Sequence, residues 1–296
     1  MTTTTLPLTR QARTPSSDRP SRFLAGIGTA VLILGAVYCL LPVAWLLVAS
    51  TKDGRELFNS FTFLPGTGLT ENLRDLSSYR DGVYWRWVFN TVLYAGGGAF
   101  LSALVSAMAG YALAKFSFPG RQVIFNILLA GVLMPAVTLA IPQYLLLARV
   151  ELTNTYWSVL LPSILSPYGI YLARIYTAAA VPDSVVEAAR TDGASEFRIF
   201  LRVALPMMLP GVVTIFLFQF VAIWNNFLLP FIMISDDSRF PITVGLYTFL
   251  NQGADRPALY TLVITGALLS VLPLIALFLT LQRYWRVDLM AGAVKA

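Results

Sequence analysis

Six stretches of this chain run for 22 residues or more without a single Asp, Glu, Lys or Arg: 23–51, 87–114, 122–148, 152–173, 203–235 and 257–282. The shortest, wound as a helix, spans roughly 33 Å at about 1.5 Å per residue, and the hydrocarbon core of a bilayer is about 30 Å thick. One charge at mid-membrane costs about 2.5–3.5 kcal/mol on insertion scales, so gaps of this length are what insertion demands. A single run of this kind could be a helix buried in a large soluble core. Six in 296 residues call for a bilayer as solvent. Only 12% of the residues are charged, against about 25% in soluble domains. The net charge of +6 does not point to nucleic acid, because the basic residues sit between apolar runs and form no continuous face.

The expected fold is therefore an all-α integral membrane protein with six transmembrane helices, near 24–49, 87–114, 122–145, 156–177, 207–233 and 258–283. Orientation follows from Lys and Arg. With the N-terminus inside, the cytoplasmic segments hold 13 of the 21 basic residues and 6 acids, and the outer loops hold 8 basic residues and 9 acids. Both termini are thus expected in the cytoplasm. Residues 1–22, rich in Thr, Ser, Pro and Arg, read as a disordered cytoplasmic tail. The membrane body is expected over 23–283 and a cytoplasmic C-terminal tail over 284–296. The first apolar run is too long for a signal-peptide core and reads as a retained anchor. The loop at 51–85 is the largest outer segment.

On the second predicted helix, Ala95, Ala99, Ala103 and Ala107 recur every four residues, as do Gly98, Ser102, Ser106 and Gly110. The two adjacent stripes form a broad face of small side chains, which lets another helix approach closely in lipid. Pro42, Pro135, Pro142, Pro162, Pro167, Pro230 and Pro273 interrupt other predicted helices and free carbonyls that protein or cavity water must satisfy.

The most informative segment, 178–206, lies between the fourth and fifth predicted helices, on the side assigned to the cytoplasm. Ser184 followed by Glu187 has the spacing of a capping box, so a helix is expected to start at or near Ser184. Ala188 and Ala189 leave its surface nearly bare, and Gly193 is placed to end it with a positive φ. A second helix follows, with Phe197, Phe200 and Leu201 at i, i+3 and i+4 as an apolar stripe, and Pro206 is expected to stop or bend it. The geometry alone would also suit an amphipathic loop lying on the membrane.

The residues themselves say more. Glu187-Ala188-Ala189, then Asp192-Gly193-Ala194, with Phe200 and Leu205-Pro206 downstream, resemble the EAA loop of binding-protein-dependent ABC importer permeases. Asn90-Thr91, the run from Tyr111 to Phe116 with Phe118-Pro119-Gly120, Leu152 to Trp157, and Trp224 to Phe227 fit the same family, as does Gln282-Arg283-Tyr284. The closing Ala291-Gly292-Ala293-Val294-Lys295 is similar to the tail of the maltose-permease G-subunit type in the carbohydrate-uptake branch. Asp288 and Ala296 stand where that type usually has Gly, and Val203 where the family usually has Ile.

The resemblance implies a coupling helix docked in a cleft of a cytoplasmic ATPase. Glu187 and Asp192 would contact or orient toward that partner, Ala188 and Ala189 would permit close docking, and Gly193 would make the turn. Ala194, Leu205 and Pro206 complete the motif, while Gly292, Val294 and Lys295 would reach into the ATPase dimer. It also implies a second, homologous permease subunit, an extracytoplasmic solute-binding protein, a sugar substrate, and residence as a multi-pass protein in a bacterial or archaeal cytoplasmic membrane. ATP and Mg²⁺ would belong to the partner ATPase. Lys52, Lys115 and Lys295 are the only lysines and none follows a Gly, so the chain carries no G-K-[ST] phosphate loop and no cofactor of its own is expected.

Two other classes remain in view. A secondary carrier usually places an ionisable residue in the membrane, and the six charge-free runs offer none, although a neutral-solute facilitator would fit. A membrane enzyme lacks its usual groups here, with no His and a single Cys, Cys39; metal sites built on His or thiolate are excluded with it. Copurification with an ATPase separates the first class from an importer. The charge-free runs suit a neutral solute, and Asn90, Gln143, Tyr144, Gln219, Trp224, Asn225 and Asn226 lie in or near them. Amides with aromatics can bind sugars by hydrogen bonding and stacking. Each could instead bond a neighbouring helix or sit in the interfacial belt.

Overall fold

The structure, a computed structural model, describes residues 22–253, 256 and 258–293, with side chains described at 26–253, 256 and 258–284. Every element among the described residues is helical. Contacts divide the chain into two units, 1–45 and 46–296. The first contributes most of α1 (Arg22–Ala49), whose side chains from 26 to 44 are all exposed. A helix apolar all round has lipid for its solvent.

The second unit contains α2 (Leu69–Ser78), α3 (Val83–Lys115), α4 (Arg121–Val132) and α5 (Ala136–Arg149). Then come α6 (Trp157–Ile164), α7 (Pro167–Ala180), α8 (Asp183–Thr191) and α9 (Glu196–Trp224). Finally come α10 (Leu228–Met233), α11 (Ile242–Gln252) and α12 (Ala258–Ala293). Five helical stretches are long and apolar enough to cross a bilayer (α1, α3, α6 with α7, α9 and α12), and the bent pair α4–α5 makes up to six.

Several boundaries differ from the sequence expectation, each for a local reason. α3 begins at Val83 rather than 87, because Gly82 at φ +74° starts the helix and Arg86 points outward. The third expected crossing is not one rod: α4 and α5 meet at 107°, since Pro135 lacks an N–H and disfavours helix at the residue before it. The fourth is interrupted at Leu165-Ser166, where Ser166 caps the N-terminus of α7 and Pro167 opens it. The fifth starts earlier, at Glu196, and ends at Trp224 rather than 233; Asn225 and Asn226 turn the chain into the separate α10. The last apolar span, Ala258–Tyr284, ends near the expected boundary, and the helix continues to Ala293. The N-terminal tail, apart from Arg22, lies outside the described residues.

The small-residue faces of α3 do what their spacing predicts. Ala95, Ala99, Ala103 and Ala107 are at most 3% exposed, and Gly98, Ser102, Ser106 and Gly110 are buried beside them. α3 packs most extensively against α7, then against α9. A Cβ on Gly110 would fall 2.4 Å from the Ala173 Cβ and 2.6 Å from the Arg174 amide nitrogen. Overpacking of this kind costs about 1–3 kcal/mol.

The two ends of α3 differ. Near its start, Asn90 donates to the carbonyls of Ser238 and Phe240 at 2.9 and 3.0 Å and accepts from the Tyr156 hydroxyl at 3.0 Å. Trp87 and Tyr94 donate to the carbonyls of Asp237 and Arg239, and Arg80 pairs with Asp237. The 51–85 segment is ordered too: the ammonium of buried Lys52 donates to the Phe61 carbonyl at 2.6 Å, and Asn72 donates to the carbonyls of Ser50 and Lys52. The far end of α3, at Lys115, meets α8.

Candidate coupling element and substrate cavity

α8 is short because both of its ends are set by sequence. Pro182, extended at ψ 142°, precedes it, and Asp183 opens it. Ser184 is therefore already inside the first turn, and the expected capping box does not form: the helix carries no side-chain cap hydrogen bond. The Asp183 carboxylate instead accepts from the Lys115 ammonium at 2.5 Å. That hydrogen bond, and then the charge behind it, hold the Asp183 carboxyl below the ordinary carboxylate range.

At the other end Gly193 has φ +77°. Its amide bonds the Arg190 carbonyl at 3.0 Å and the Ala194 amide bonds the Ala189 carbonyl at 3.1 Å, the two bonds of a Schellman stop. Arg190 closes the turn with two hydrogen bonds to the Glu196 carboxylate, 2.6 Å from Nε and 3.2 Å from Nη2. That pairing raises the Arg190 pKa further.

Val186 is the one buried residue of α8. It joins an apolar cluster with Tyr111, Ala173, Val181, Ile199 and Phe200. Glu187, Ala188, Asp192 and Gly193 are exposed, and Ala189 and Ala194 are partly so. The helix thus turns outward, away from the bundle, a surface in which Ala188 lies beside Glu187, with Asp183 and Arg190 also exposed and Asp192 at its end.

The expected stripe of Phe197, Phe200 and Leu201 is corrected. Phe200 is 4% exposed, but Phe197 and Leu201 are 62% and 40% exposed, and Ile199 takes the inward position. The cause is a π-turn at Phe200–Ala204, which shifts the helical register. Pro206 does not stop the helix; it sits in the first turn after the π-turn, with Leu205 partly buried and α9 continuing to Trp224. π-turns open the α ladder, which accommodates the missing N–H of a proline.

A cavity of about 580 Å³ opens between α4, α5, α6, α7, α9 and α10. Of the residues expected along a substrate path, Gln143, Gln219, Asn225 and Asn226 line it, and Asn90, Tyr144 and Trp224 do not. Asn90 is fully buried and spent on the loop bonds above. Trp224 is 3% exposed and stacks on Phe220 at 5.4 Å, and Tyr144 is 37% exposed outside the cavity. Ser163, Ser166 and Tyr168 were not singled out from the sequence but contribute polar lining. Gln219 donates to the Ser166 hydroxyl at 2.5 Å, across the break between α6 and α7. Among the described residues, no charged side chain lines this cavity. Of the tail residues, Gly292 lies in the last turn of α12 with its surroundings not described, and Val294 and Lys295 lie outside the described residues.

The family profile described as "Binding-protein-dependent transport system inner membrane component" matches residues 103–286. The arabinooligosaccharides transport system permease protein AraQ of Halalkalibacterium halodurans is 33% identical over 276 residues, 92% of this chain and 96% of that protein. The diacetylchitobiose uptake system permease protein NgcG of Streptomyces coelicolor is 31% identical, covering 90% of this chain and 87% of its own. A solved structure of a bacterial ABC transporter involved in the import of the acidic polysaccharide alginate has the same fold, with a TM-score of 0.78 at 23% identity over 92% of this chain and 99% of that one. On the profile match and these relatives, the chain belongs to the inner-membrane components of binding-protein-dependent transport systems.

Proposed function

We propose that this chain is one of two homologous membrane subunits of an ATP-driven importer, and that it takes its driving force through α8. The observation that carries the reading is α8 itself: a nine-residue helix, stopped at Gly193, seated by one buried valine and presenting Glu187 and Ala188 outward with Ala189 half-buried beside them. Two alanines leave room for a partner's surface to come close, and Glu187 and Asp192 offer it hydrogen-bond acceptors. The partner is a cytoplasmic ATPase dimer, which holds ATP and Mg²⁺. Its closure on nucleotide moves α8, and α8 moves α7 and α9, to which it is joined.

In this reading the α8 end of α3 and both termini are cytoplasmic, in keeping with the distribution of Lys and Arg, in a bacterial cytoplasmic membrane. The stitched loops at the other end receive solute from an extracytoplasmic binding protein. Gly292, Val294 and Lys295 add a second contact with the ATPase. The cavity is this subunit's share of the path. Its uncharged amide and hydroxyl lining suits a neutral polyhydroxylated solute, and the names of AraQ and NgcG favour an oligosaccharide. The apolar remainder of the lining, Val137, Leu139 and Ile223 among it, suits the faces of sugar rings.

The test is purification in mild detergent, followed by uptake in proteoliposomes against a panel of neutral and acidic saccharides. The account expects an ATPase to copurify, and ATP-dependent uptake of a neutral saccharide. Uptake without any ATPase, or of acidic saccharides alone, contradicts it.

A further inference from the structure

We infer that Lys115 is a positioning residue that fastens α8 directly to α3, so that force reaches the bundle's central helix as well as the two helices joined to α8 by the chain; the inference rests on α8 being the coupling element. Lys115 is the last residue of α3, and its side chain is only 6% exposed. Its ammonium donates at 2.5 Å to the Val181 carbonyl, just ahead of α8, and at 2.5 Å to the Asp183 carboxylate, the first residue of α8. Both partners are more than 60 residues away in sequence, so nothing in the local chain requires the contact.

The setting shows what the contact does. Between the end of α3 and α8 lies a space of about 200 Å³ lined by Ala114, Lys115, Asp183, Val186, Glu187 and Arg190. Apart from Val186 in its apolar cluster with Tyr111, close packing therefore does not lock α8 to the end of α3. The ammonium bridges the gap, and Val186 is the one apolar side chain of α8 that is buried. Such a tie resists being pulled apart yet lets the short helix tilt, because a compact ammonium on a flexible stem reorients its donors. α3 in turn is the helix packed most extensively on α7 and α9. A displacement of α8 is thus delivered to all three helices together. A cation at the C-terminus of α3 is also favoured by the helix dipole, but that alone places no demand on Asp183.

The assembled transporter, with its ATPase, tests the assignment through Lys115→Met and Lys115→Arg. Lys115→Met is expected to assemble with the ATPase in wild-type ratio and to hydrolyse ATP, while solute moved per ATP falls about tenfold. Lys115→Arg, which keeps the charge and the donors, is expected to restore most of that ratio. A purely structural role would lower protein yield and ATPase activity together and leave the ratio unchanged. Wild-type stoichiometry in Lys115→Met, or loss of ATPase assembly in it, overturns the inference. Should Lys115→Met fail to reach the membrane, Asp183→Asn carries the test from the exposed end of the tie: a lowered ratio supports it and an unchanged ratio overturns it. If the wild-type chain itself recruits no ATPase, the coupling reading fails first, and that failure is distinct because it needs no variant.

Discussion

The two ends of α3 are built on different principles. At its start, side-chain amides and indoles capture the backbone of distant loops: Asn90 holds Ser238 and Phe240, Trp87 holds Asp237, and Asn154 accepts from the amides of Ser235 and Asp236. Each bond fixes a carbonyl or amide that cannot move without the chain around it. At its finish, α8 is held by one valine, one ammonium and the Arg190–Glu196 pair. Captured backbone makes a rigid end. The Arg190–Glu196 pair is exposed on both sides, and exposed pairs contribute only about 0.2–1 kcal/mol each; the Lys115 ammonium, though buried, reaches across a gap, so this end can tilt without unpacking a core. A transporter that is pushed from one side needs that asymmetry.

The sharpest way to break the comparison is to damage the displaceable end and look for damage elsewhere. Glu187→Lys reverses the charge in the middle of the outward surface. Gly193→Val forces a β-branched residue to φ +77°, a conformation that costs about 1–2 kcal/mol for L-residues. Both variants are expected to lower uptake by about a hundredfold, with the melting temperature in detergent close to wild type for Glu187→Lys and lowered by a few degrees, about 2–4 °C per kcal/mol, for Gly193→Val. Unchanged uptake in both would mean that α8 is not the handle.

The rigid end predicts the reverse pattern. Asn90→Leu strips three hydrogen bonds from a fully buried site. Hydrogen bonds inside membrane bundles average about 0.6 kcal/mol and unpaired buried groups cost more, so a loss of about 2 kcal/mol in stability is expected. The apparent KM for uptake should stay within about twofold. A large change in KM with no loss of stability would return Asn90 to the substrate path.

The contrast between Asn90 and Gln219 shows how far the sequence could be read. The charge-free runs located the five helical stretches long enough to cross a bilayer and the bent pair α4–α5, and the four-residue spacing of Ala and Gly located the face of α3 that packs on α7. Gly193 was legible because a positive φ at a helix stop is a local demand. Asn90 and Gln219 were not distinguishable as letters: both are amides in apolar runs, and only the fold shows one bonded to loop carbonyls and the other facing a cavity. The Lys115–Asp183 contact was hidden because its partners lie 68 residues apart. The Arg190–Glu196 pair, six residues apart across a glycine turn, could have been anticipated from its spacing. The stripe at Phe197, Phe200 and Leu201 was misread because no sequence signal marked the π-turn that moves Ile199 inward.

A smaller effect is expected in the cavity. Gln219→Leu removes the donor to Ser166 and one polar group from the lining, and should weaken uptake of a neutral saccharide roughly fivefold, about 1 kcal/mol, with ATPase assembly intact. Equal uptake would place the path elsewhere.

The smallest effect is a pH dependence that separates the ends. The Asp183 carboxyl is lowered by its bond to Lys115. Its contribution is therefore fully present above the unfolded carboxylate value of about 3.9 and is lost as pH falls through the lower folded value. Asp236 is lowered as well, chiefly by the Ser238 hydroxyl and amide, but the loops around it are also held by Asn90 and Asn154, which do not titrate. Hydrogen exchange between pH 6 and 5 should leave both ends unchanged. Below about pH 4 the amides of 183–194 should lose protection before those of 235–242, and simultaneous loss would erase the distinction.

The central claim is tested most directly by a cysteine at Ala188, in a chain whose single native cysteine, Cys39, has been replaced by Ser. The account predicts a disulfide or short-linker crosslink from that position to the ATPase in the assembled transporter, with a yield that changes when nucleotide is added. A position that never captures the ATPase, or one that a membrane-impermeant thiol reagent labels from outside intact cells, would contradict it.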